Sequence, residues 1–127
     1  MILDTSAAVA MLRGEPEAEE FREIVEHART VRMSAASVLE LAMVIGRGDP
    51  GLVDAFVQEL GIDVVPVDAE HLRWARIAFE RFGRGSGSPA RLNYGDCLSY
   101  GAARALGEPL LFKGEDFVHT DVAVGSS

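Results

Sequence analysis

Cysteine, lysine and histidine are scarce in this 127-residue chain, with one, one and three copies. A lone cysteine excludes an internal disulfide and fits a reducing cytoplasm. It is Cys97, beside Asp96 in an apolar helical segment with no histidine near in sequence, and it reads as a small core residue, not a catalytic thiol. His27, His71 and His119 never fall at ligand spacing, which argues against zinc. No apolar run approaches the roughly 18 residues of a membrane span. The chain opens directly on the strand-like Met-Ile-Leu, so no secretory leader is expected. A cytoplasmic protein with no membrane partner is the expectation.

Charge is missing locally as well. Three acids each stand as the only charge of an apolar stretch: Asp4 within residues 1–12, Glu40 within 33–46 and Asp96 within 92–103. At the chain's 25% charged content these 38 residues would carry nine or ten charges; they carry three, all carboxylates. An unpartnered buried carboxylate costs roughly several kcal/mol or more, and is normally neutralised by a proton, a base or a metal. No base is nearby in sequence, so the three are expected to gather around a positive group from outside.

The remaining composition is that of one soluble globular domain spanning 1–127, with 48% hydrophobic residues. The net charge of −8 argues at face value against a polyanionic partner. Its distribution is uneven. Residues 15–26 hold six Glu and one Arg, whereas 71–91 hold Arg73, Arg76, Arg81, Arg84 and Arg91 against Glu80. The acidic block reads as the solvated face of a helix. The arginine set reads equally as a solvated helix face running into a loop and as a surface for a polyanion.

Strands and helices alternate. Strands are expected at 1–3, 30–33, 62–67, 109–112 and 121–124, and helices at about 7–12, 15–28, 35–46, 49–61, 68–82 and 94–106. Caps support them: Pro16 at a helix start, Ser34, Asp68 and Asn93 as N-caps, and Gly46 and Gly107 as stops. Residues 83–91 form a Gly/Ser-rich loop. The pattern predicts an α/β three-layer sandwich with a mostly parallel central sheet flanked by helices.

Such sheets bind ligands at the carboxyl ends of their strands. Asp4 follows the first strand, and Glu40 lies about 9 Å along the helix after the second. Asp96 occupies the first turn of its helix, while Glu115 and Asp116 follow the strand at 109–112. Each acid also has a purely structural role open to it. Asp4 suits an N-cap, Ser37-x-x-Glu40 matches a capping box, Asn93-x-x-Asp96 nearly does, and Asp116 suits a turn after Gly114. Capping alone leaves the uncharged surroundings unexplained. If the four converge, each pair 5 Å apart repels by roughly 3 kcal/mol at an effective dielectric near 20. A divalent cation relieves this while keeping them ionised, and an all-oxygen set suits Mg²⁺ or Mn²⁺.

The segments MILDTSAAVAML, SAASVLELAMVI and LNYGDCLSYGAARALGEPLLFKGEDF, with the closing TDV, resemble the PIN-domain ribonucleases. They are most similar to the VapC-type toxins of toxin–antitoxin pairs, over essentially the whole chain. The resemblance implies Asp4, Glu40, Asp96 and Asp116 as a catalytic, metal-holding quartet, with Asp4 and Asp96 the most direct ligands. Thr5 and Ser6 match the hydroxyl residues beside the first acid, and Asn93 the polar residue opening the third motif. Glu115 stands where it could share the role of Asp116. The implied activity is Mg²⁺- or Mn²⁺-dependent endonucleolytic cleavage of RNA by activated water, leaving 5′-phosphate and 3′-hydroxyl ends. The implied assembly is a homodimer that binds a cognate antitoxin in a heterotetramer or larger complex. Arg73, Arg76, Arg84 and Arg91 are the candidate RNA contacts. Two rivals are a phosphoacceptor receiver domain, which Lys113 fits superficially, and a PIN-like module that binds RNA or protein without catalysis.

Overall fold

The computed structural model describes residues 1–126. Its elements alternate as the hydrophobic pattern demands: β1 (Ile2–Leu3), α1 (Thr5–Arg13), α2 (Ala18–His27), β2 (Arg32–Ser34), α3 (Ala35–Ile45), α4 (Pro50–Glu59), β3 (Asp63–Val65), α5 (Ala69–Phe82), α6 (Tyr94–Leu106) and β4 (Leu110–Leu111). A 3-10 turn at Asp116–His119 follows. The four strands form one sheet in the order β3-β2-β1-β4, and every pairing is parallel. No helix among the described residues is long and apolar enough to cross a membrane.

Neighbouring residues on a strand face opposite sides of the sheet. Ile2 and Leu110 therefore join the core with Tyr100, Ala78 and Leu92, under α5 and α6. Leu3 and Leu111 join the other core, with Met11, Phe21, Met33, Leu41 and Phe56, under α1 to α4. Both faces are covered at β1 and β4, which is why those strands read as continuous apolar runs, whereas the edge strand β3 is largely exposed. The result is the expected three-layer sandwich.

Several boundaries differ from the sequence expectation. β2 runs later than 30–33 because Ser34 ends the strand and also caps α3, its side chain accepting from the Ala36 N–H at 3.3 Å. α2 begins at Ala18 because Gly14 closes α1 in the left-handed region (φ 63°). Glu15 then donates its N–H back to Ala10, so the chain turns once more before α2 can start. The expected strand at 121–124 shrinks to one parallel bridge, Val124 to Leu110. β4 is only two residues long and offers no longer edge to pair with.

α6, which carries Asp96 and Ser99, lies unusually close to α5. A Cβ on Gly101 would stand 2.6 Å from the His71 carbonyl oxygen and 3.2 Å from Ala75 Cβ. Gly101→Ala is therefore expected to force the two helices apart at a cost of about 1–3 kcal/mol. Urea unfolding measures this, and an unchanged midpoint would show that the two helices are not tightly apposed.

Candidate active site

The carboxyl ends of parallel strands point to one rim of the sheet, and that rim receives the acids. Asp4 leaves β1 in extended conformation and caps α1. Its Oδ2 accepts from the Ser6 N–H at 3.0 Å and the Ser6 hydroxyl at 2.6 Å. Its Oδ1 accepts from the Ser99 hydroxyl on α6 at 2.5 Å, and Ser99 lies 3.2 Å from the Ser37 hydroxyl. Asp4 is 3% exposed, so three hydrogen bonds compensate its desolvation while no base neutralises its charge.

Asp96 sits in the first turn of α6 inside a full capping box. Its Oδ2 accepts from the Asn93 N–H at 3.0 Å, and Asn93 Oδ1 accepts from the Asp96 N–H at 2.9 Å. Capping and a site role coexist here, because a carboxylate has more lone pairs than the cap consumes. For Ser37 and Glu40 the capping box does not form; Ser34 caps α3 instead, and Ser37 is buried against Ser99. Glu40 reaches across to the start of α6 and lies against Gly95. A Cβ on Gly95 would come within 2.7 Å of Glu40 Oε1 and 2.8 Å of its Cδ. Glycine there makes the room that the carboxylate occupies.

Asp116 opens the 3-10 turn after Gly114, whose φ of 103° lets the chain double back beyond β4. Asp4, Glu40, Asp96 and Asp116 line one open cavity of about 440 Å³ together with Thr5, Ser6, Asn93, Glu15 and Lys113. Glu115 is exposed and is not part of that wall. Thr5 donates its hydroxyl to the Ser37 carbonyl at 3.3 Å, and Ser6 is committed to Asp4.

The electrostatic consequence falls on Asp96. Desolvation pushes its carboxyl up to about 7, the charges of Asp4, Asp116 and Glu40 push the same way, and the Asn93 N–H opposes them. The cavity's one cation, Lys113, is already paired with Glu15 at 2.8 Å and Glu17 at 3.1 Å. Among the described residues no three acidic, histidine or cysteine side chains stand close enough to hold one metal ion. The donor set is nonetheless all-oxygen, anionic and short of positive charge, which is the chemistry a hard divalent cation satisfies.

The candidate arginines divide. Arg76 and Arg84 line a second cavity of about 570 Å³, floored by Leu72, Phe79 and Leu98; Asn93 belongs to both cavities. Arg73 pairs with Glu70 at 2.9 Å and stacks over Trp74. Arg91 lies in the glycine-rich loop with a φ of 52°. Sequence reasoning missed Ser99, Ser37, Gly95 and Glu15. Ser99 had a signal available: it lies three residues after Asp96, on the same helix face, in the same uncharged stretch.

The model of the PIN domain matches residues 1–123 of this chain. The chain belongs to the PIN-domain family. Ribonuclease VapC30 of Mycobacterium tuberculosis is 50% identical over 127 residues, covering 97% of this chain and 96% of that one. Ribonuclease VapC42 of the same organism is 48% identical over 126 residues, covering 96% of both. This PIN domain is thus one of the VapC ribonuclease toxin family. A solved structure, that of Mycobacterium tuberculosis VapC20, titled a sarcin-ricin loop cleaving toxin, shares the fold with a TM-score of 0.74. It is 17% identical and covers 96% of this PIN domain and 95% of its own chain. A receiver domain is set aside by these matches.

Because folded Asp96 holds its proton up to about 7 whereas the ordinary carboxyl value is 3.8, stability is lost as pH rises between the two and stays lost above. Asp96→Asn is expected to raise the melting temperature of the metal-free PIN domain at pH 8 by roughly a few degrees, with the gain fading toward pH 4. A pH-independent difference in a calorimetric series would contradict the charge crowding.

Proposed function

We propose that this chain is a Mg²⁺- or Mn²⁺-dependent endoribonuclease, the toxin of a toxin–antitoxin pair. It hydrolyses RNA phosphodiester bonds to leave 5′-phosphate and 3′-hydroxyl ends. The observation that carries the proposal is that four elements deliver four carboxylates to one cavity without a free cation to balance them.

Asp4 and Asp96 would hold the ion most directly, with Glu40 and Asp116 completing the anionic wall. When bound, a divalent cation supplies charge neutralisation at the phosphate and makes water acidic enough to attack phosphorus at neutral pH. The protein's own groups set the conditions. Ser6 and Ser99 keep the Asp4 carboxylate fixed, and Asn93 holds Asp96 on the first turn of α6. Asp96 must lose its proton to serve, so the empty site is expected to take up the ion more tightly as pH rises toward about 7. The Ser6 hydroxyl on the cavity wall is committed to Asp4, and Cys97 is off that wall, its thiol pushed up to about 11 by burial and by the Asp96 carboxylate. Asn93 joins this cavity to the one walled by Arg76 and Arg84, which gives an RNA strand a route from guanidinium contacts to the acids.

The homodimer and the antitoxin complex belong to the same proposal. Leu39 and Met43 on α3, Leu72 and Phe79 on α5, and Tyr94 are all more than half exposed. Tyr94 and Leu98 line the hollows on both sides, so the patch is continuous and suited to a second copy. An antitoxin guanidinium or ammonium entering the acidic cavity would take the cation's place. Acting on cellular RNA places the protein in the cytoplasm.

Purified protein free of antitoxin should cleave RNA with Mg²⁺ or Mn²⁺, lose that activity in EDTA, and lose at least about 100-fold as Asp96→Asn. Cleavage that persists in Asp96→Asn rejects the metal assignment, and metal-stimulated binding without cleavage favours the non-catalytic module. Of the four candidate arginines, Arg76→Glu with Arg84→Glu should weaken RNA binding and lower the salt slope by about 0.7 for each phosphate no longer neutralised. An unaltered slope removes these arginines from the RNA path.

A further inference from the structure

Lys113 is the chain's only lysine and the only cation on the wall of the acidic cavity, yet its charge is engaged elsewhere. Its ammonium lies 2.8 Å from Glu15 and 3.1 Å from Glu17, both on the connection between α1 and α2. Glu17 Oε2 is shielded from solvent and has that ammonium as its charge partner. The backbone N–H of Lys113 donates to the Ser6 hydroxyl at 3.0 Å, and that hydroxyl donates to Asp4 Oδ2 at 2.6 Å. One residue thus ties the loop beyond β4 to two places: the α1–α2 connection through its side chain, and the Asp4 carboxylate through its main chain.

The loop it governs has few other restraints. Gly114 follows with positive φ, Glu115 and Asp116 are exposed, and the next firm anchor is Phe117, buried with its ring 5.1 Å from that of Phe112. Asp116 therefore hangs between Lys113 on one side and Phe117 on the other. Two glutamates against one ammonium leave a net −1 at this corner, so the triad does nothing to balance the four site carboxylates. Partly exposed ion pairs of this kind contribute little to global stability. What they do here is fix a geometry.

We propose that Lys113 is a positioning residue: clamped by Glu15 and Glu17, it fixes the loop that presents Asp116 to the acidic cavity. The inference rests on the metal-dependent reading only for its consequence, which is that the clamp sets divalent-ion affinity by placing Asp116. The alternative use of the same lysine, a free cation that swings into the acids and competes with metal, makes opposite demands on the glutamates.

The test uses the full chain as Lys113→Met, Lys113→Arg and the pair Glu15→Gln with Glu17→Gln, with two readouts. In metal-free protein, hydrogen exchange at Val118 and Thr120, whose amides donate to Glu115 and Phe117, reports whether the turn carrying Asp116 is held. Lys113→Met and the glutamine pair should each speed this exchange at least about tenfold while exchange in β1 stays unchanged, and Lys113→Arg should preserve protection. Mn²⁺ titration by calorimetry should show affinity weakened about 10- to 100-fold in the same two variants, the range expected when a ligand's outer support is removed. Unchanged exchange in Lys113→Met overturns the clamp. Recovery of Mn²⁺ affinity when Lys113→Met is added to the glutamine pair also overturns it, in favour of the competing cation. Should the wild-type chain bind no Mn²⁺, the nuclease reading fails, while the exchange rates still decide whether Lys113 holds the loop.

Discussion

Crowding of like charge at the carboxyl rim of a parallel sheet is the constraint on which this molecule is organised. Asp4 is almost wholly buried at the end of the innermost strand pair, and its compensation comes entirely from hydroxyl and amide donors. Hydrogen bonds stabilise the charged form without cancelling its field, so the carboxylate still acts on its neighbours. Asp96 registers that field together with those of Asp116 and Glu40. A protein that only needed capped helices would neutralise such a cluster with arginine, of which it has eleven against one lysine.

The fold serves this crowding through small residues on α6. Gly95 admits the Glu40 carboxylate, Ser99 reaches Asp4, and Gly101 lets the helix press against α5. These positions lie on one helix within two turns, so their spacing is set by helical geometry and by nothing at the site itself. Polar and small residues at core positions normally weaken packing. Here they are what allows three elements to bring acids within reach of one another.

Cationic groups sit around this centre without entering it. Arg81 and Arg104 are bound to Asp121, Arg73 to Glu70, and Lys113 to Glu15 and Glu17. Arg76 and Arg84 remain beside the neighbouring cavity, next to exposed apolar side chains. The net charge of −8 is therefore a poor guide to what this surface meets, because much of the acid belongs to the site, to ion pairs or to the solvated face of α2.

The alternation of strands and helices, the parallel sheet and the candidacy of Asp4, Glu40 and Asp96 were all legible in the chain, because burial on both strand faces and an uncharged neighbourhood leave marks on local composition. Asp4 and Asp96 as caps were legible too, since capping acts over two or three residues. What local pattern could not convey was contact between distant elements. Ser99 beneath Asp4, the Glu40 carboxylate over Gly95, Lys113 locked to Glu15 and Glu17, and the collapse of the last strand to one bridge all depend on separations of 14 to 98 residues. Periodicity reports how a segment meets its own surroundings, whereas only chain packing determines which surroundings those are.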